Sequence, residues 1–463
     1  MTTPRALVVF AAGFYLNLPV LAAHNFHLPM AASAFALLLA GPCLMFLVAQ
    51  RRPLVVTPAL PLMIAYLTVL VISATLAGSS QRNAVTPIIT FLSEGLLLYL
   101  LVTNAVRNPQ HLRMVLWAVI LAGAFMGLIS VWQEATHAYG KSLGGLAQVD
   151  VTGFSVGGGL SEHVRPRLAG PIGEKNRYAQ ILLVLLPIAA YRVRAERQRN
   201  LRVLAGACVV LILAGMVLTY SRGAAVALGI TLVTVTVLGL ISLRKMLALL
   251  LMAAALIALF APNYVQRLQS LAGTDSALSQ SPAVDGAIQG RATENLAALY
   301  VFRDHPLFGV GPGQFFNRYS TDYGNELDMR FLKQNRRAHN LYLEIAADTG
   351  ILGLAAFLAI VGATLVQLRR LGRFWRQRNP ELAALADGML VSLIAYMASA
   401  IFLQLAYQRY FWFLIALGNA TIWISQTTAT SASPAATNAS GGTASSSLFE
   451  RVGSGRGAAT GTT

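Results

Sequence analysis

The sequence is short of charge and of cysteine. Charged residues make up only 11% of its 463 positions, against about 25% for an ordinary soluble chain, so a set of soluble globular domains is not the architecture to expect. Cysteine occurs twice, at Cys43 and Cys208, each inside an apolar run. Neither a disulfide framework nor a thiolate metal site follows, and both read as small core hydrophobes. The seven histidines are scattered and no HExxH pattern occurs, so no metal is expected. No nucleotide-binding motif is present, and no cofactor is expected.

What is present is hydrophobic length. Apolar residues make up 56% of the chain, and twelve runs approach or reach bilayer length: roughly 6–23, 29–50, 54–77, 84–106, 114–133, 178–191, 203–220, 224–242, 246–262, 350–368, 383–405 and 410–425. The first could pass for a signal peptide. Leu21-Ala22-Ala23 is a poor cleavage site, however, and Pro19 sits late in the run, which favours an uncleaved anchor. The expectation is an all-α polytopic membrane protein of about twelve transmembrane helices, a single domain over 1–425. Two long loops, about 134–177 and 263–349, interrupt it, the second partly helical. Residues 426–463 are rich in Ser, Thr, Ala and Gly and are expected to be a disordered tail.

The cations fix an orientation. Alternate short loops hold Arg51, Arg52, Arg107, Arg113, the run from Arg192 to Arg202, Arg244, Lys245 and the run from Arg369 to Arg378, sixteen in all, whereas the opposite short loops hold only Arg82, Arg222 and Arg409. The positive-inside rule then puts both termini and the tail in the cytoplasm. The two long loops face outward by this reading and still carry thirteen cations, ten of them arginine. A solvated surface or anionic lipid headgroups would account for most of these. Arginine also grips phosphate oxygens bidentately, so an external anionic ligand is a second reading. The net charge of +17 does not point to nucleic acid, because it is split across two sides of a membrane and no nucleic-acid fold is legible. Glu94 and Asp387 lie inside apolar spans without evident cationic partners, a thin basis for a transport pathway.

In the second long loop, RATENLAALYVFRD (291–304) spaces Leu296, Leu299 and Tyr300 for a helix lying on the membrane surface or on other helices, with Arg291 at its start. Gly309, Gly311 and Gly313 then force turns. Such a turn can cradle phosphate, but no P-loop lysine follows it. Next comes RRAHN (336–340). If 338–349 is helical, His339 shares a face with Leu343 and Gly350, and Gly350 with Gly353 leaves a notch for another helix or a lipid chain. A boundary histidine is either structural or a proton acceptor.

His339-Asn340, nine residues, then Gly350-x-x-Gly353 resembles the signature of the bacterial O-antigen ligases, in a superfamily with O-antigen polymerases and protein O-oligosaccharyltransferases. RLAGPIGEKNRYAQ from Arg167, TYSRGAAVAL with Arg222, and GRATENLAALYVFRDHPLFGVGPGQF with Arg291 resemble further family stretches, in order. The resemblance implies a GT-C-like, metal-independent glycosyltransferase of the inner membrane. It would move polysaccharide from undecaprenyl diphosphate onto lipid A–core oligosaccharide at a periplasmic site, with inversion. His339 would be catalytic, and Arg222, Arg291 and Arg167 would meet the diphosphate. Arg165, Arg336, Arg337, Gly350 and Gly353 would support them. Asn340 would orient the imidazole, bond a sugar hydroxyl or simply begin a helix. Polymerase, protein-modifying enzyme and lipid-linked glycan transporter are the alternatives.

Overall fold

The structure is a computed structural model that describes residues 3–25, 27–28, 40–41, 53–77, 81–156, 163–260, 264, 282–326, 335–404 and 408–431. The span expected at 29–50 (apart from residues 40 and 41), Cys43, Arg51, Arg52, Arg267, Arg330, Lys333 and the tail from 432 lie outside the described residues. Residues 1–424 form one compact unit and 425–463 a second, of which 425–431 carry the end of the last helix.

The helices are α1 (Thr3–Tyr15), α2 (Leu18–Asn25), α3 (Ala59–Leu76), α4 (Gln81–Thr90), α5 (Leu98–Ala105), α6 (Pro109–Thr136), α7 (Lys175–Ala195), α8 (Arg199–Val217), α9 (Arg222–Val237), α10 (Leu243–Phe260), α11 (Pro282–Asp304), α12 (Ser320–Glu326), α13 (Leu341–Trp375), α14 (Pro380–Ser399) and α15 (Gln408–Ser431). They occupy eleven of the twelve expected intervals. By length and composition, seven described helical segments can cross a bilayer, and an eighth if α1 and α2, bent by 60°, count as one. Arg222–Val237 is apolar but shorter. The multi-pass helical membrane architecture therefore stands, and the full count of twelve goes beyond it. Two local departures follow from sequence chemistry. The loop at 134–177 holds an antiparallel hairpin, β1 (Gln148–Val156) with β2 (His163–Gly170), so the described chain is not wholly α. The last helix runs to Ser431, past the tail boundary set at 426.

Caps mark the ends. Asn108 and Asn379 accept from His111 N and Leu382 N, each followed by proline at the first helical position, where a missing N–H costs nothing. Glu174 caps α7 through the N–H groups of Asn176 and Arg177. Between α4 and α5, Phe91–Leu97 forms a π-helical segment four residues after Pro87, whose ring cannot sustain the regular ladder. In a bilayer apolar burial alone does not draw helices together, so small residues decide where backbones meet. Here α6 and α8 cross at glycine: a Cβ on Gly215 would sit 2.8 Å from Gly127 Cα, and one on Gly127 would sit 2.1 Å from Leu211 O.

Candidate active site

Arg167 lies within β2 as a buried cation, and its guanidinium turns inward. Nε donates to Thr219 O at 2.9 Å, and Nη2 donates to Tyr220 O at 3.1 Å and Asn176 Oδ1 at 3.3 Å. Those carbonyls belong to the tight turn between α8 and α9, where Tyr220 is left-handed at φ 52°. Ser221 follows, donating to Asn176 Oδ1 at 2.9 Å and capping α9 through Ala224 N. The consequence for Arg222 is placement. It opens α9 at a fixed angle, partly buried. Burial first, and then the positive charge of Arg291, work against its protonated form. The two arginines, 69 residues apart in sequence, thus lie within electrostatic reach of one another.

Arg291 sits inside α11 rather than at its start, because the helix begins at Pro282. The packing face also differs from the stripe expected. Leu296 and Leu299 are exposed, at 44% and 49%, while Glu294, Ala297, Ala298 and Val301 are buried. Small residues at this i, i+3, i+4, i+7 spacing let α11 come close to Val310, Phe315, Ala338 and Ala347. That face carries a carboxylate, and Glu294 is 1% exposed. Its Oε2 lies 2.5 Å from His339 Nδ1, and its Oε1 lies 3.6 Å from Arg336 Nη1. Glu294 is the site residue that sequence reasoning missed. Its signal was its position one helical turn beyond Arg291, overlooked in favour of the leucines.

His339 precedes α13 instead of lying on its face. Asn340 is the N-cap and accepts from Tyr342 N at 3.0 Å and Leu343 N at 3.1 Å. Of its three readings, the helix-beginning one is what the geometry displays, with the amide nitrogen still able to donate. The first turn of α13 rests on the end of α14: Leu341 N donates to Ala400 O at 2.9 Å, and Tyr342 Oη to Met397 O at 2.8 Å. Beside this junction opens a small cleft lined among others by Asn176, Gln180, Ser221, Arg291, Ser399 and Phe402. Three of the four stretches that resemble the O-antigen ligases meet there, and the fourth, His339, joins through Glu294. Among the described residues Arg291 makes no ion pair.

The supporting cations are differently employed. Arg165 pairs with Glu134 and lies 5.2 Å over the Tyr220 ring. Arg337 reaches Glu344 at 2.9 Å and stacks over Phe316. The supposed lone acids have partners: Glu94 lies 3.7 Å from Arg409, and Asp387 lies 3.4 Å from Arg376. They were invisible as pairs because 315 residues separate Glu94 from Arg409, and a turn separates α13 from α14.

The glycine notch is not open. α13 breaks at Gly350 (φ 66°, ψ −167°), and the chain from Pro306 to Gly313 fills the break. Ile351 N donates to Pro306 O, Val310 N to Ala347 O and Gly311 N to Asp348 O, at 2.8, 3.0 and 2.9 Å. Thr349's side chain occupies the space above Gly353. The glycine-rich turn does cradle an anion, but its own: Gly313 N and Phe315 N donate to the Asp348 carboxylate at 2.8 and 2.9 Å. Among the described residues, no group of three or more His, Cys, Asp or Glu stands close enough to share a metal ion.

A comparison with curated proteins finds no match. Residues 207–358, about a third of the chain, match the family model of the O-antigen ligases. That interval takes in Arg222, Arg291, Glu294, His339 and the break at Gly350, whereas Arg167 and Asn176 lie outside it. Over these residues the chain is similar to the O-antigen ligase/polymerase superfamily.

Proposed function

We propose that the protein joins an undecaprenyl-diphosphate-linked O-antigen polysaccharide to lipid A–core oligosaccharide on the periplasmic face of the inner membrane. The observation that carries this reading is that one helix beside the cleft holds both Arg291 and the Glu294 that pairs with His339. An acceptor hydroxyl attacks the anomeric carbon of the donor sugar from the face opposite the leaving group, so configuration inverts. The new C–O bond forms as the bond from that carbon to the diphosphate oxygen breaks, and undecaprenyl diphosphate departs with the electron pair. His339 takes or orients the hydroxyl proton. Arg291 and Arg222 meet the charge gathering on the diphosphate, a type of stabilisation worth about 3–4 kcal/mol per donor lost. Arg167, committed to carbonyls, holds the turn that presents Ser221 and Arg222. No step calls for a metal.

The test is transfer by the purified full-length enzyme with lipid-linked donor and core acceptor. His339→Ala should nearly abolish turnover while keeping donor affinity. Arg222→Ala and Arg291→Ala should lose both, with lysine a partial rescue because it lacks the planar fork. Near-normal transfer by His339→Ala would remove the catalytic assignment. Chain extension of a second lipid-linked glycan, with no product on the core, would instead favour a polymerase.

A further inference from the structure

We infer that Glu294 is a positioning residue for His339, fixing which imidazole nitrogen faces the acceptor hydroxyl; this rests on the transfer reading above. A carboxylate that is 1% exposed is strongly disfavoured without partners, and its partners here divide cleanly. Oε2 meets His339 Nδ1 at 2.5 Å, while Oε1 faces Arg336 Nη1 at 3.6 Å. An ionised carboxylate can only accept. Nδ1 therefore carries the hydrogen and donates, and the neutral ring keeps its lone pair on Nε2. The reverse tautomer would set two acceptors face to face at 2.5 Å. The imidazole itself is 29% exposed against 2% for the Glu294 side chain, so the ring is reachable from outside and its anchor is not.

The helix gives the arrangement its scale. Glu294 follows Arg291 by three residues on α11, a rise of about 4.5 Å along the axis. The element that brings the cation for the diphosphate thus also sets the base. In transfer the hydroxyl proton passes to Nε2, and the carboxylate stabilises the imidazolium without taking the proton, the part a buried acid plays behind a catalytic histidine. Arg336, 52% exposed, balances the carboxylate from the solvent side.

The experiment uses full-length Glu294→Gln and His339→Ala in detergent, with ¹⁵N-labelled histidine and His339 assigned by its loss in His339→Ala. Glutamine keeps the size and a hydrogen-bonding oxygen, but its amide can also present N–H to Nδ1. The expected result is a fall in kcat of about 10²–10⁴-fold, an unchanged KM for the donor, and a change of the His339 signal from Nδ1–H alone to mixed tautomers. A purely structural contact would change protein yield or melting and leave the tautomer alone. Near-normal kcat in Glu294→Gln, or Nε2–H as the tautomer of the unaltered enzyme, overturns the inference; the second measurement decides even if the variant fails to fold. An inactive His339→Ala beside an active Glu294→Gln removes only this inference. An active His339→Ala removes the catalytic assignment of the histidine, and absence of transfer by the unaltered enzyme removes the transfer reading itself.

Discussion

Replacing Gly350 by alanine should damage this protein more than any other single methyl group added to α13. The backbone there has φ 66° and ψ −167°, a region open almost only to glycine, and holding another residue in it costs about 1–3 kcal/mol. The new Cβ would also lie 2.2 Å from Leu307 O, 2.3 Å from Leu307 C and 2.5 Å from Phe308 N. These are main-chain atoms, which no rotamer change can move aside. A normal C···O separation of about 3.3–3.6 Å requires the loop to withdraw by roughly 1 Å, stretching the bonds from Ile351 N to Pro306 O and from Leu352 N to Leu307 O. Each contributes about 0.5–1.5 kcal/mol net, so the combined cost is about 2–6 kcal/mol. Gly362→Ala is the control: its Cβ meets nothing within 4 Å, and alanine inside a helix gains up to about 1 kcal/mol. Gly353→Ala should fall between them, since the atoms nearest its new Cβ belong to the Thr349 side chain rather than to the main chain of another segment. Thermal denaturation in detergent, followed by the folded fraction on size-exclusion chromatography, ranks the three. If Gly350→Ala melts with Gly362→Ala, the loop does not occupy the break and the account of the notch is wrong.

Three further outcomes are expected. Arg167→Ala strips the partners from Thr219 O and Tyr220 O in a buried setting and should destabilise by about 2–4 kcal/mol, visible as a lower melting temperature, with lysine failing to restore it; unchanged melting would refute the bracing role. Transfer should continue in excess chelator, and its abolition with rescue by magnesium or manganese would contradict a metal-independent mechanism. Single cysteines placed in 134–177 and 263–349 should react with an impermeant maleimide in intact cells, and those in 192–202 and 369–382 should not; labelling of the 192–202 loop from outside would reverse the topology.

The helical architecture was legible because bilayer length imposes itself on composition: the runs at 54–77 and 114–133 reappear as Ala59–Leu76 and Pro109–Thr136. Motif residues were legible one at a time. What could not be read was mutual arrangement. Glu294 looked like one more polar residue in a helix, since its partner lies 45 positions away. The burial of its face depends on alanines, whose weak apolar signal loses to Leu296 and Leu299 even though close approach selects the small side chain. Arg167 looked like a ligand contact, because a sequence shows a cation but not the carbonyls that surround it. Asn340 was legible as a cap only as one of three readings, although N-capping needs only local chemistry.

The joint at Gly350 has an implication for engineering. The inserted segment is bound chiefly through amide hydrogens and carbonyl oxygens, while the Leu307 side chain stays 60% exposed. Every amino acid but proline supplies that same pair of groups. The side chain at 307 can therefore be recoded or labelled, or given a crosslinker, without touching the fastening that joins the arginine-bearing helix to the helix behind the histidine. The residue to leave alone is the one with no side chain to change.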